Sequence, residues 1–165
     1  MSALLQLNDK FMNQRTYVSL CKLDLKHAEK MLTWMTDPRV RDNIGLHRQV
    51  TLESTREWIA RAQVDPMFSA WAIEFESNHV GNVVLDRIDE YLGSARLSIY
   101  LGEVLARGSG VGSAAMFKIL QHGFETLHLY KIWLNVHERN ATAIALYKKL
   151  GFVSEGALRG EFFLK

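Results

Sequence analysis

Two stretches of the 165-residue chain set residue types where chemistry could follow from their spacing. The first is Arg107-Gly108-Ser109-Gly110-Val111-Gly112, between a β-rich run and a helical one. Its glycines let the backbone approach a ligand closely and take up positive φ. The first amides of the following helix have no intrahelical partner, and the helix dipole adds positive potential there. Such a turn makes a phosphate site, the alternative being a turn that serves geometry alone. No Gly-Lys-Ser/Thr follows, so it is not a P-loop, and its third glycine comes too early for a dinucleotide fingerprint. The second stretch runs from Asn140 to Phe152. On a helix Asn140, Ile144 and Tyr147 share one face, so an amide and a phenol point the same way. A helix cap at Asn140 beside a buried aromatic is the alternative there.

Other reactive residue types carry less. Cys21 is the only cysteine, which excludes an intrachain disulfide and points to a reducing, cytoplasmic compartment. It reads as a small apolar strand residue with no partner for nucleophilic catalysis. Glu125 and His128 form one pair with no second pair, so no metal site is expected.

The elements that must position these residues follow from periodicity. Thr16 to Leu23 alternates and reads as a strand. Leu25 to Met35 places Ala28, Met31, Leu32 and Met35 at helical spacing. Thr51 to Gln63 opens with a helix-start signal, Thr51-Leu52-Glu53-Ser54. Phe68 to Phe75, His79 to Asp86 and Ser94 to Leu101 are β-rich runs with short polar links, an antiparallel meander. The helix after the glycine turn carries Ser113, Phe117, Leu120, Phe124 and Leu127 on its face. Lys131 to His137 reads as a strand, Asn140 to Leu150 as a helix stopped by Gly151, and Phe152 onward as a final extended segment. The order β-α-α-β-β-β-α-β-α-β predicts an α+β fold. Its mixed, mostly antiparallel sheet is flanked by helices, with a parallel neighbour across a crossover helix. No linker interrupts residues 1–165, so one domain is expected.

Basic and acidic residues stand at 20 against 18, too near balance for the basic stripe of a nucleic-acid binder. No apolar run approaches the ~18 residues of a membrane span. Leu4, Leu5 and Leu7 lack the basic flank of a signal peptide. Neither a nucleic-acid nor a membrane partner is expected.

Taken together, strand, Arg-x-x-Gly-x-Gly turn, helix, strand, and Asn140 through Leu146-Tyr147-x-Lys149-x-Gly151-Phe152 resemble the GNAT superfamily of N-acetyltransferases. The resemblance runs from about Ser94 to Gly160, and more loosely from Thr16. From Leu129 onward it is to the branch of spermidine, ribosomal-protein and amino-sugar N-acetyltransferases, and Trp34 to Arg41 is similar to that branch's opening. It implies acetyl-coenzyme A as cosubstrate. Backbone groups of Ile99, Tyr100 and Leu101 would meet the pantetheine arm, and the amides of Arg107, Gly108, Ser109, Gly110, Val111, Gly112 and Ser113 would hold the pyrophosphate. The sheet would splay between this strand and residues 131–137 to admit the thioester. Asn140 would contact the cofactor, and Tyr147 would protonate the departing thiolate. GNAT domains close with a further strand beyond the position of Lys165, so the sequence is expected to be truncated there, or its last strand to be short or borrowed from a partner chain. A bare edge of that kind favours a homodimer.

An alkylamine of pKa near 10 is only about one part in a thousand neutral at pH 7. The site must therefore remove a proton from the amine and return one to sulfur. Direct attack in a ternary complex is the economical model, with Tyr147 as acid and backbone amides near Ile99 to Leu101 polarising the carbonyl. Glu103 is the first candidate base; Asp86, Glu74, His137 and a water chain are the others. Asp37 to Arg48 carries three arginines against two aspartates, which disfavours a polyamine. A nucleotide-linked amino sugar fits better, or a peptide N-terminus. A protein N-terminal acetyltransferase and a non-catalytic acetyl-coenzyme A-binding regulator remain as alternatives.

Overall fold

The computed structural model describes residues 17–41, 44, 46 and 48–161. A sheet in the order β1-β2-β3-β4-β5 is built from Val18–Lys22, Ser69–Phe75, Asn78–Asp89, Ser94–Leu101 and Lys131–Trp133. The first four strands pair antiparallel, and β4 pairs with β5 in parallel. A parallel pair needs a crossover, and helix α4 (Val111–Gln121), extended by a π turn at His122–Thr126, provides it. Helices α1 (Ala28–Thr36), α2 (Pro38–Arg41) and α3 (Leu52–Val64) precede β2, and α5 (Ala141–Lys149) follows β5. Among the described residues no helix is long and apolar enough to cross a membrane.

Strand alternation divides the core into two layers. Val83, Leu85, Ala95 and Leu97 face α4, where Val111, Ala115, Met116 and Ile119 are buried against them. Ala70, Ala72 and Val84 face the opposite way, onto Ala28, Met31, Ile59 and Ala62 of α1 and α3. The predicted start signal of α3 is a reciprocal cap between Thr51 and Ser54, the serine hydroxyl rather than a carboxylate closing the box. A short helical turn, α2, begins at Pro38, whose fixed φ suits a first helical position. Residues 42, 43, 45 and 47 of that predicted loop, with 162–165 beyond the final segment, lie outside the described residues.

Two elements differ from expectation. The strand predicted over 131–137 ends at Trp133: the ladder stops at the Arg96↔Trp133 rung, although β4 continues to Leu101. From there Leu134 turns into the core while Asn135 and Val136 are exposed. The predicted final strand is absent from 152–161. Phe152 packs on the core, but Val153 and Leu158 are exposed and no ladder is made. A segment without a ladder or a buried face has nothing to hold it extended.

A polar group is buried between α1 and the sheet. His79 Nε2 and Asn82 Oδ1 lie 2.9 Å apart, and Asn82 Nδ2 donates to the Tyr100 hydroxyl at 2.6 Å. Because Asn82 donates through its nitrogen, its oxygen accepts and the His79 proton sits on Nε2. The His79 ring packs edge-on against Trp34 and His27 at 4.7 and 4.6 Å between centroids. Burial lowers the pKa of His27 and His122, and takes His79 from 6.5 down to about 4.

These histidines are neutral in the fold and titrate normally once unfolded, so below the ordinary value the unfolded chain binds more protons. Stability is complete above pH 6.5 and falls as pH drops toward about 4. The urea midpoint should decline through that window, with a shallower decline in His79→Gln, which keeps a donor toward Asn82. A midpoint flat from pH 7 to 4.5 would contradict this account.

Candidate active site

The chain leaves β4 through a short 3-10 turn at Val104–Ala106, and this turn engages two amides: Ala106 donates to Glu103 O and Arg107 to Val104 O. The expectation that the Arg107 amide joins an anion cradle is therefore corrected. Its guanidinium, moreover, reaches back to the Leu101 carbonyl at 2.9 Å. The next six residues behave differently. Gly108 and Gly110 take φ of 77° and 87°, and Gly110 is the N-cap of α4 with no side-chain cap bond. A side-chain-bearing residue in that left-handed region costs roughly 1–2 kcal/mol. The first helical amide with a partner is that of Ala114, bonded to Gly110 O at 3.0 Å. The amides of residues 108–113 have no partner among the described residues, and Ser109 Oγ ties the turn to Ala106 O at 2.8 Å. Unpaired amides at a helix start form an anion cradle by geometry and dipole together.

The cradle opens onto a free sheet edge. Gly102 N donates to Val80 O, so alternation turns the backbone groups of Ile99 and Leu101 away from β3. β5 covers β4 only as far as Arg96, leaving Leu97 to Leu101 with that edge open. Tyr100 is placed otherwise. Its backbone lies opposite Asn82 in the ladder with β3, and its hydroxyl is held by the same asparagine.

α5 brings the phenol. Asn140 caps it, its Oδ1 accepting from Ala143 N at 3.1 Å, while its side-chain nitrogen keeps both donors for a ligand. At the other end Gly151, at φ 91°, lets Phe152 N bond Tyr147 O and Gly151 N bond Lys148 O. That is a Schellman closure, and the apolar contact that accompanies it is Tyr147 against Phe152, ring centroids 5.8 Å apart. Burial pushes the Tyr147 pKa up, and its hydroxyl has no hydrogen bond among the described residues. A Cβ built on Gly112 would lie 3.7 Å from Leu101 Cδ1 and 3.9 Å from Leu146 Cδ2. The cradle, the open end of β4 and the Tyr147 helix therefore converge.

The candidate bases are engaged. Glu103 pairs with Lys30 at 3.3 Å, both side chains about 40% exposed, and Asp86 pairs with Arg96 at 2.6 Å. Glu74 accepts from Ser19 at 3.2 Å and Cys21 at 3.4 Å, and His137 Nδ1 accepts from Arg139 N at 3.2 Å. Cys21, His27 and Glu74 gather ligand atoms within 4.8 Å, a grouping their sequence spacing does not reveal. Asp24 N donates to His27 Nδ1, so the neutral ring carries its proton on Nε2, the atom facing Cys21 Sγ. Those atoms are thus already donors and acceptors to one another. Sequence reading also missed His79, Asn82 and Trp34, which meet only where α1 packs on the sheet.

An uncapped helix start beside a parallel pair that parts after three rungs is the architecture of an acyl-coenzyme A-binding domain. The acetyltransferase (GNAT) domain model matches residues 18–153, and the chain belongs to that family. Spermidine N(1)-acetyltransferase of Escherichia coli (strain K12) is 34% identical over 94 residues, covering 57% of this chain and 50% of that protein. This chain thus spans about half the length of the curated spermidine acetyltransferase it matches. An uncharacterized N-acetyltransferase, p20 of Bacillus licheniformis, is 25% identical over 153 residues, covering 86% and 82% of the two chains. Among solved structures, spermidine N-acetyltransferase from Vibrio cholerae in complex with CoA and spermine superposes with a TM-score of 0.84. It is 24% identical, with 90% and 88% of the chains covered, which shows the shared fold.

Proline at a first-turn position removes one N–H without breaking a helix. Gly112→Pro should leave the ligand-free melting temperature nearly unchanged and weaken coenzyme A binding by about tenfold, a charge-assisted hydrogen bond being worth roughly that. Calorimetric titration checks it, and unchanged affinity would mean the cradle holds no phosphate.

Proposed function

We propose that this chain is an acetyl-coenzyme A-dependent N-acetyltransferase acting on a primary amine by direct attack in a ternary complex. The observation that carries it is the meeting of unpaired amides, an open strand edge and an unpartnered phenol in one place. The amides of residues 108–113 bind pyrophosphate, and the free edge of β4 accepts the pantetheine amides as a further strand would be accepted. Acetyl-coenzyme A supplies the activated acyl group when bound. Backbone N–H groups of Ile99 and Leu101 face the slot and polarise the carbonyl there.

Tyr147 is the acid. With its pKa raised by burial, the phenol is protonated at neutral pH and has a proton to give. The same apolar surroundings raise the proton affinity of a thiolate, which favours the transfer. On the base side, Asp86 and Glu103 are each held by a cation, so water carries the amine proton outward. An α-amine, with a pKa of roughly 7.7–8.0, asks far less of such a site than an alkylamine near 10.

The acceptor follows from charge. Asp37, Asp86 and Glu103 are matched by Arg39, Arg96 and Lys30. That leaves this side of the molecule poorly suited to spermidine, the substrate in the relatives' names, which carries positive charge throughout. An amino sugar linked to a nucleotide brings a lower-pKa amine and a phosphate, and it is the acceptor class we favour. A peptide N-terminus, which offers the same kind of amine, is the second reading. Amine-dependent release of free thiol separates both from a regulator that only binds acetyl-coenzyme A. Pairing with a second copy would cover the outer edge of β5, which has no ladder partner among the described residues.

Tyr147→Phe should lower kcat by about a hundredfold, the usual scale of general-acid loss. The rise in melting temperature caused by acetyl-coenzyme A should persist. Loss of that rise with the hydroxyl would make Tyr147 a binding residue and remove it as the acid.

A further inference from the structure

The vertex at which β4 and β5 part fixes where an acceptor amine must stand. Arg96, opposite Trp133, forms the last rung of the parallel pair. Ala95, Leu97, Ile99 and Leu101 turn into the cluster under α4, and Leu146 and Tyr147 of α5 pack on that same cluster. One face of the slot is thereby closed by helices. Alternation sends the side chains of Arg96, Ser98 and Tyr100 to the other face. There α1 covers Tyr100, but Ser98 is exposed and Arg96 half-buried, leaving an approach for an amine at that end.

At the vertex Arg96 is held in a fixed orientation. Its Nε and Nη2 donate to the two oxygens of Asp86 at 2.7 and 2.6 Å, across the Asp86↔Arg96 rung. The Asp86 side chain is 14% exposed and that of Arg96 is 32% exposed, so the carboxylate is the buried clamp and the guanidinium faces outward. A guanidinium carries five N–H donors in a planar fork with more than one bidentate edge. Asp86 occupies the Nε–Nη2 edge, and the Nη1 side has no partner among the described residues. The same pairing removes Asp86 as a ligand for a cation. Glu103, beside α1, is likewise taken by Lys30 at 3.3 Å.

We propose that Arg96 recognises an anionic group, a phosphate or a carboxylate, on the acceptor molecule, with Asp86 setting the orientation of the fork. This rests on the acetyltransferase reading and adds the residue that selects the substrate. Two parallel N–H···O bonds from one edge match the oxygens of either anion. A lysine supplies charge without that geometry.

The experiment measures acetyl transfer by the full chain to matched pairs: 2-aminoethyl phosphate against ethanolamine, and glycylglycine against its C-terminal amide, with spermidine alongside. In at least one pair the anionic member should have a kcat/KM about tenfold or more higher, the scale of a charge-assisted hydrogen bond. Which pair responds tells phosphate from carboxylate. Arg96→Gln should bring the ratio back toward one while the acetyl-coenzyme A melting shift persists. Arg96→Lys, which keeps the charge and loses the fork, should lower it too and decides the matter if the glutamine variant does not fold. Equal values within both pairs, a preference for spermidine over all four, or an unchanged ratio in the lysine variant overturns the proposal with acetyl transfer intact. No transfer to any amine, with acetyl-coenzyme A still bound, overturns the transferase reading itself and this one with it.

Discussion

The parallel ladder between β4 and β5 lasts three rungs, and the site exists because it stops there. Backbone N–H and C=O groups need partners, and beyond Arg96 one edge of β4 has none from β5. The Leu101 carbonyl is satisfied by the Arg107 guanidinium, a side chain folded back from the next turn. Groups nearer the vertex stay open to a ligand that can imitate a strand. Continued pairing to Leu101 would have quenched the edge and closed the slot together.

Helix ends complete the arrangement, and the chain treats them differently. α5 begins at Asn140, whose side chain caps Ala143 N, whereas α4 begins at Gly110, which has no side chain to cap with. Anion-binding capacity is therefore reduced at one helix start and kept whole at the other. The C-terminus of α5 has its own task. Gly151 permits the Schellman closure, and the closure sets Phe152 against the Tyr147 ring. A backbone requirement, positive φ at one glycine, thus brings a second ring against the phenol.

Behind the slot a buried polar layer ties β4 to α1. Asn82 joins His79 to Tyr100, and Trp34 lies against both rings. A Cβ on Gly102 would fall 1.9 Å from the Trp34 ring, so only glycine lets the end of β4 lie this close to α1. That close approach also brings Lys30 to Glu103 and to the His79 carbonyl. Glu103 is thereby matched with a cation, as Asp86 is with Arg96, which keeps part of its fork toward the open face.

What sequence alone determined is what local physics can encode. Alternation gave the meander of three strands, helical spacing gave α1, α3, α4 and α5, and the glycines of 108–112 marked a helix start that no side chain caps. Gly151 marked the end of the helix carrying Tyr147. Tertiary structure decided the rest, because it depends on register between strands far apart in the chain. Where β5 leaves β4 cannot be read from residues 131–137, whose alternation continues past the last rung at Trp133. The cations that hold Glu103 and Asp86 likewise arrive only when separate elements meet. Pattern in sequence fixes which way a side chain faces along its own element; only packing fixes what it finds there.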